Sequence, residues 1–152
     1  MTMDRTDRRI LALLQEDATL PVAELARRVH LSQTPCWKRL QKLKAAGVIR
    51  KQVVLCDPGK LGLGTTVFVA VRTSQHNDAW LRKFDAAVKT IPEIVEVYRM
   101  SGEVDYLLRV VTSDIAGYDA VYRRLIKAVE LSDVSSSFAM ETIKSTTALP
   151  VG

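Results

Sequence analysis

Apolar positions recur at helical spacing through the first 47 residues, and the period changes just after Gly47. Residues 6–17 (TDRRILALLQED) predict a helix with Thr6 as N-cap, Asp7 in its first turn and an apolar stripe of Ile10, Leu11, Leu13 and Leu14. After a polar break, PVAELARRVH predicts a second helix, with Pro21 in its first turn and Leu25, Ala26 and Val29 inward. His30-Leu31-Ser32 reads as a tight turn. A left-handed residue there would favour Gly, with His tolerated less well. Residues 31–47 (LSQTPCWKRLQKLKAAG) predict a third helix, capped by Ser32 or Thr34 and ended by Gly47. At 100° per residue, Cys36, Leu40, Leu43 and Gly47 share one stripe, and Thr34, Lys38, Gln41 and Lys42 lie opposite. Gln33, Trp37, Arg39 and Lys44 flank them. Helix, short turn and helix, preceded by a helix that completes the core, is the pattern of a helix-turn-helix.

Residues 48–55 (VIRKQVVL) are β-branched and partly alternating, which predicts a strand leaving this helical unit. Asp57-Pro58-Gly59-Lys60 is a turn and Leu61–Gly64 a joint. The remainder predicts strand 65–73, helix 77–91 (Leu81, Phe84, Val88 and Ile91 aligned), strand 94–100 and strand 105–111. A helix from an Asp114 cap to about Glu130 follows, with Ile115, Tyr118, Val121, Tyr122, Leu125 and Val129 inward, and then strand 135–144. The order βαββαβ predicts a ferredoxin-like sandwich, so the fold class is α+β. The expected division is 1–50 for the helix-turn-helix unit, 51–63 for a linker strand and hinge, and 64–152 for the ferredoxin-like unit. Val67, Val69 and Val71 alternate with Phe68 and Ala70, so the sheet is apolar on both faces while its helices cover one. The simplest second cover is the same sheet of another copy, hence a homodimer, which would also present two helix-turn-helix units to two half-sites.

Charge sharpens the division. Residues 1–60 hold 12 Lys/Arg against 6 Asp/Glu, a net +6, and residues 61–152 hold 10 against 11, a net −1. The basic excess lies wholly in the first unit, as expected if that unit meets phosphates. Its partner would be double-stranded DNA, with Lys38 and Lys42 drawn to phosphate, Gln41 and Thr34 suited to base edges, Arg39 able to reach either, and Ser32 and Gln33 touching backbone at the helix start. Trp37 is expected to pack at the edge of the unit, the alternative being that it lies along DNA. Cys36 lies on the core stripe and reads as a small buried hydrophobe. Cys56, His30 and His76 have no companions at metal-ligand spacing, so no metal site and no cofactor are expected. No Ser/His/Asp or Cys/His set and no phosphate-cradling glycine loop stands out, so no catalytic residue is assigned and an enzyme is not expected. MTMDRTDRR is followed by no signal-type apolar run and no stretch is long enough to span a bilayer. The expected location is therefore cytoplasmic, at the nucleoid, with no membrane partner.

Several segments carry a resemblance: DRTDRRIL, ELARRV, LSQTPCWKRLQKL, GVI, DPGKLGLG, SGEVDYLLRV, LSDVSSSFAMETIK and STTALP. Together they resemble the Lrp/AsnC (feast/famine) transcription regulators over nearly the whole chain. The resemblance implies a winged helix-turn-helix followed by a βαββαβ effector-sensing domain, and dimers assembling to tetramers, octamers or larger rings. It also implies a small amino acid bound between dimers that changes DNA binding and transcription. His30 departs from the glycine common in this turn. Gly102, Glu103, Val104, Asp105 and Tyr106 match the family's effector loop. Asp105 would receive the ligand ammonium, and backbone N–H groups of 102–104 its carboxylate, where a side chain at Gly102 would interfere. Ser135, Ser136 and Ser137 match the last-strand region that reaches the pocket, and Met100 would line it. TPCWKRL, RMSGEVDYLLRV and LSDVSSSFAME are most similar to the cysteine-responsive detoxification regulators, which makes cysteine the candidate effector. Other members answer to leucine, methionine, lysine or aromatic amino acids. The alternative is an architectural DNA-binding protein that needs no ligand.

Overall fold

A computed structural model describes residues 2–152, which form two compact units. The first comprises α1 (Arg5–Glu16), α2 (Val22–Arg28) and α3 (Gln33–Ala45), together with the last ten residues of the chain. Its core is Ile10, Leu11, Leu13, Leu25, Ala26, Val29, Cys36 and Leu43. Thr6 is not the cap of α1. Asp4 is, and Asp7 reciprocates: Asp7 N–H donates to Asp4 Oδ1 at 2.8 Å and Asp4 N–H to Asp7 Oδ2 at 3.1 Å. Two backbone amides without intrahelical partners are thereby satisfied.

The turns around α3 follow from left-handed residues. His30 has φ +57°, and beside it His30 N–H donates to Arg27 C=O and Leu31 N–H to Ala26 C=O. Gly47 has φ +71°, with Gly47 N–H on Lys44 C=O and Val48 N–H on Leu43 C=O. Each is the paired closure that finishes a helix by satisfying its last carbonyls. At Gly47 the conformation costs little. At His30 it carries the steric cost of a Cβ.

The strand expected over 48–55 does not form. Residues 50–56 have no regular structure, and Val54 is 87% exposed. No wing strand therefore follows α3 in a single chain. An isolated strand leaves one N–H and one C=O per residue unpaired unless another strand lies alongside.

The second unit holds β1 (Thr65–Arg72), α4 (Asp78–Thr90), β2 (Ile94–Arg99), β3 (Tyr106–Thr112), α5 (Ile115–Ala128) and β4 (Asp133–Phe138). The sheet is antiparallel in the order β2-β3-β1-β4. Cross-strand rows alternate between faces. Val97–Leu108–Val69–Ser136 and Ile94–Val110–Val67–Phe138 lie on the helix side, and Tyr98–Leu107–Ala70–Ser135 and Glu96–Arg109–Phe68–Ser137 on the open side. Val95 is the extra residue of a bulge in β2.

The buried stripe of α4 is Trp80, Phe84 and Ala87, continued by Ile91, and Leu81 of the expected stripe is exposed. The Trp80 indole N–H donates to Glu130 C=O at 2.7 Å, so the largest side chain of the helix is buried with its polar atom satisfied. In α5, capped by Asp114, Ile115 points to solvent because it precedes the first inward turn. β4 ends at Phe138, not at 144. The final residues, expected with the second domain, lie on α1: the Gln15 amide donates to Leu149 C=O at 3.0 Å and accepts from Leu149 N–H at 2.7 Å, and Arg8 donates to Val151 C=O. Val151 packs against the helical core.

Candidate nucleic-acid interface and effector loop

On α3 the burial follows the expected stripe: Cys36 and Leu43 are fully buried and Leu40 nearly so. Burial pushes the Cys36 thiol up, which keeps it protonated and unreactive. Ser32, Gln33, Thr34, Lys38, Gln41 and Lys42 are all exposed. Ser32 is the N-cap residue but its hydroxyl makes no capping bond, so the first N–H groups of α3 open onto solvent at the positive end of the helix. Lys38 and Lys42 form no ion pair among the described residues. Trp37 is 51% exposed on the same helix.

One expected cation, Arg39, differs. Arg39 Nη1 donates to Asp4 Oδ2 at 2.6 Å and to Asp7 Oδ1 at 2.8 Å, and its side chain is only one-third exposed. It is held by the cap of α1 instead of pointing outward with Lys38. The Asp7 backbone N–H bond, followed by Arg39, holds the Asp4 carboxyl below the usual carboxylate range. On α2, Glu24 takes both Arg27 and Arg28, each at 2.7 Å, and these hydrogen bonds lower its carboxyl to about 2. The basic surface of α2 is thus partly neutralised. The signal for both findings was present as acids three or four residues from a base on one helix, and as Asp4 and Asp7 at the start of α1.

In the second unit, Gly102 has φ +106° in the β2–β3 connection, with no atom within 4 Å of where a Cβ would stand. Backbone conformation, not crowding, demands glycine there. Asp105 closes the loop: its Oδ2 accepts Thr73 N–H at 2.8 Å, its N–H donates to Val71 C=O and its C=O accepts from Met100 N–H. One carboxylate oxygen is thereby committed to the end of β1, and Oδ1 has no hydrogen-bond partner among the described residues. Glu103 is well exposed and pairs with Arg72 at 3.2 Å. Val104 is half-buried and Met100 exposed.

The structure separates residues that the motif groups together. The Tyr106 ring faces away from the loop surface and packs on Phe84 (4.6 Å between centroids) and Trp80 (5.7 Å). Ser136 is on the helix side, hydrogen-bonded to the Tyr118 hydroxyl, whereas Ser135 and Ser137 are on the open face. Alternation along a strand forbids all three serines from sharing one pocket. Ser135 and the loop occupy the same end of the sheet, but β1 lies between β4 and β3, which puts Ser135 roughly 10 Å from its row-mate Leu107. Arg72 and Thr73, which sequence reading passed over, lie beside the loop between these groups.

Cavities in this unit lie away from the loop. One of about 650 Å³, between α4 and β2, is lined by Leu81, Phe84, Val88, Val97 and Tyr106, and one of about 440 Å³ by Asn77, Lys83, Lys127 and Glu130 among others. Neither reaches 102–105. In a single chain the 102–105 loop lies at the surface.

Comparison with known proteins agrees with this layout. The AsnC-type helix-turn-helix domain matches residues 3–44 and the Lrp/AsnC ligand binding domain residues 66–149. The chain is 49% identical to the DNA-binding transcriptional activator DecR of Escherichia coli K12, over 98% of this chain and 99% of that protein. It is 46% identical to the glutamate uptake regulatory protein of Zymomonas mobilis, over 98% and 91%. Among solved structures, an AsnC family transcriptional regulator from Agrobacterium tumefaciens superposes with TM-score 0.95 at 59% identity, over 98% of this chain and 97% of that one. A transcriptional regulator from Neisseria meningitidis in complex with L-Met superposes with TM-score 0.93 at 36% identity, over 99% and 97%.

Proposed function

This chain belongs to the Lrp/AsnC family of transcriptional regulators, and on that premise we propose that its second unit takes a small amino acid whose binding changes how its helix-turn-helix holds operator DNA. The observation that carries the DNA half is α3, buried along Cys36, Leu40 and Leu43 while Thr34, Lys38, Gln41 and Lys42 stand exposed. Lys38 and Lys42 supply phosphate attraction. Gln41 and Thr34 carry donors and acceptors for base edges, and Ser32 and Gln33 sit where amides meet a phosphate.

For the effector half, an amino-acid ammonium suits Asp105 Oδ1, and the turn at Gly102–Val104 offers N–H groups to a carboxylate. Because this surface is open in one chain, the site is completed between copies. The open sheet face, with Phe68, Ala70, Leu107, Val111 and Tyr98, takes the same face of a second chain, and these dimers assemble further to tetramers or octamers. The Neisseria relative binds L-Met, which supports an amino acid as the ligand class, and cysteine is the first to test here. The protein acts in the cytoplasm, on nucleoid DNA.

The test is a panel titration. Each amino acid is added to the purified full chain on operator duplex while DNA retention and sedimentation are followed. The expected result is that one amino acid shifts both and that Asp105→Ala removes the shift while DNA binding persists. If no amino acid changes either, the protein is a ligand-independent architectural DNA binder instead.

A further inference from the structure

Arg39 has a place in DNA recognition that its sequence position disguises. On a helical wheel it neighbours Lys38 and Lys42, so it reads as a third cation for phosphate. Its guanidinium instead spans two carboxylates of another helix. Asp4 and Asp7 already bind each other's backbone N–H groups, which leaves one oxygen on each carboxylate without a partner. Arg39 Nη1 takes both oxygens, at 2.6 and 2.8 Å.

Three properties follow from that arrangement. Two ionised carboxylates at the start of one helix repel each other, and the shared cation removes the repulsion. The Asp7 side chain is only 8% exposed, so its ionised form is kept out of water with Arg39 as its compensating charge. The three groups also connect the first turn of α1 to the middle of α3, three residues beyond buried Cys36 and one before Leu40. Apolar stripes permit small rotations of one helix on another, because their packing energy is non-directional. Charge-assisted bonds from a planar guanidinium do not.

We propose that Arg39 is a positioning residue: with Asp4 and Asp7 it fixes the rotation of the recognition helix against α1, and so sets which side chains meet base edges, without itself neutralising a phosphate. The proposal rests on the DNA-binding reading above.

A residue that neutralises a phosphate and one that orients a helix differ in two measurable ways. Losing a phosphate contact lowers the slope of log K against log salt by about 0.9 and weakens all sequences alike. Losing orientation leaves that slope and non-specific binding in place and erases the preference for one sequence.

The experiment uses the full chain, a duplex enriched by the wild type from a random-sequence pool, and poly(dI-dC) as non-specific DNA. Both affinities are measured across a salt series for wild type, Arg39→Gln, the double variant Asp4→Asn with Asp7→Asn, and Lys38→Gln as the phosphate control. Helical circular dichroism selects variants that fold. The expected result is that Arg39→Gln lowers the ratio of selected to non-specific affinity at least tenfold with the non-specific slope unchanged. The double aspartate variant, which leaves Arg39 unpaired, should lower the ratio in the same way even though its added positive charge strengthens non-specific binding. Lys38→Gln should lower the slope.

A slope reduced by about 0.9 in Arg39→Gln, or a ratio unchanged in the double aspartate variant, overturns the assignment. If Arg39→Gln does not fold, the double aspartate variant decides alone. A wild type that enriches no sequence is a different failure, because it removes the sequence-specific reading and this assignment together.

Discussion

Phe68 offers the sharpest test of the proposed two-fold pairing of chains. It lies at the centre of the open sheet face, opposite Arg109 on β3 and Ser137 on β4, and is 41% exposed in one chain. An aromatic side chain can bury roughly 200 Å² in all, so about 80 Å² of Phe68 remains for a partner to cover. At about 25 cal/mol per Å² that area is worth about 2 kcal/mol. A two-fold interface uses each residue twice, so Phe68→Ala removes close to about 4 kcal/mol and weakens the dimer by about 10²–10³-fold. Because the estimate is a difference between two variants of one surface, it avoids most of the uncertainty in converting whole-interface area to affinity. Sedimentation velocity over a dilution series reads the constant directly, and circular dichroism checks that the unit stays folded. The matched control is Val69→Ala, one residue away on the helix side and 2% exposed. It should lower the melting temperature without dissociating the dimer. If Phe68→Ala leaves the dimer constant within about threefold of wild type while the fold is intact, the open face is not the interface.

Three further outcomes follow from the geometry. Lys42→Gln should lower the salt slope of operator binding by about 0.9, read by fluorescence anisotropy between low and moderate salt. Gln15→Ala removes both hydrogen bonds to Leu149 and should destabilise the helical unit by about 1 kcal/mol in urea melts, with the tail becoming protease-sensitive. The carboxyls of Asp4, Glu24 and Glu96 are held low by their hydrogen bonds, first by Asp7 N–H, Arg27 and Arg109 respectively. Their stabilisation is therefore complete above the ordinary carboxylate range and fades as pH falls through the lowered values, near 2 for Glu24. Melting temperature should drop below about pH 4, more shallowly in Glu24→Gln and more shallowly at high salt.

Much of the molecule was legible in residue order because local periodicity fixes what a helix or strand buries. The stripe Cys36–Leu40–Leu43 and the alternation Val67–Val69–Val71 needed only the geometry of one element. The left-handed turns at His30 and Gly47 were legible for the same reason, since a Schellman closure involves residues within one turn of each other. The candidate effector residues were legible only as a motif. Nothing local says that Tyr106 packs on Phe84 or that Ser136 turns to Tyr118. Those facts depend on which face of the sheet receives the helices.

The sequence by itself determined two units, one basic and helical and one a βαββαβ sandwich, because composition, charge and period are properties of the chain alone. Tertiary structure decided how charges pair between elements. Arg39 belongs to Asp4 and Asp7 because α1 and α3 pack together, although 32 residues separate Arg39 from Asp7 along the chain. It also decided that 50–55 forms no strand while the last residues dock on α1 through Gln15. A strand or an extended tail holds its conformation only when something satisfies its backbone groups. Which segment supplies that satisfaction is settled by the assembled fold and not by the segment itself.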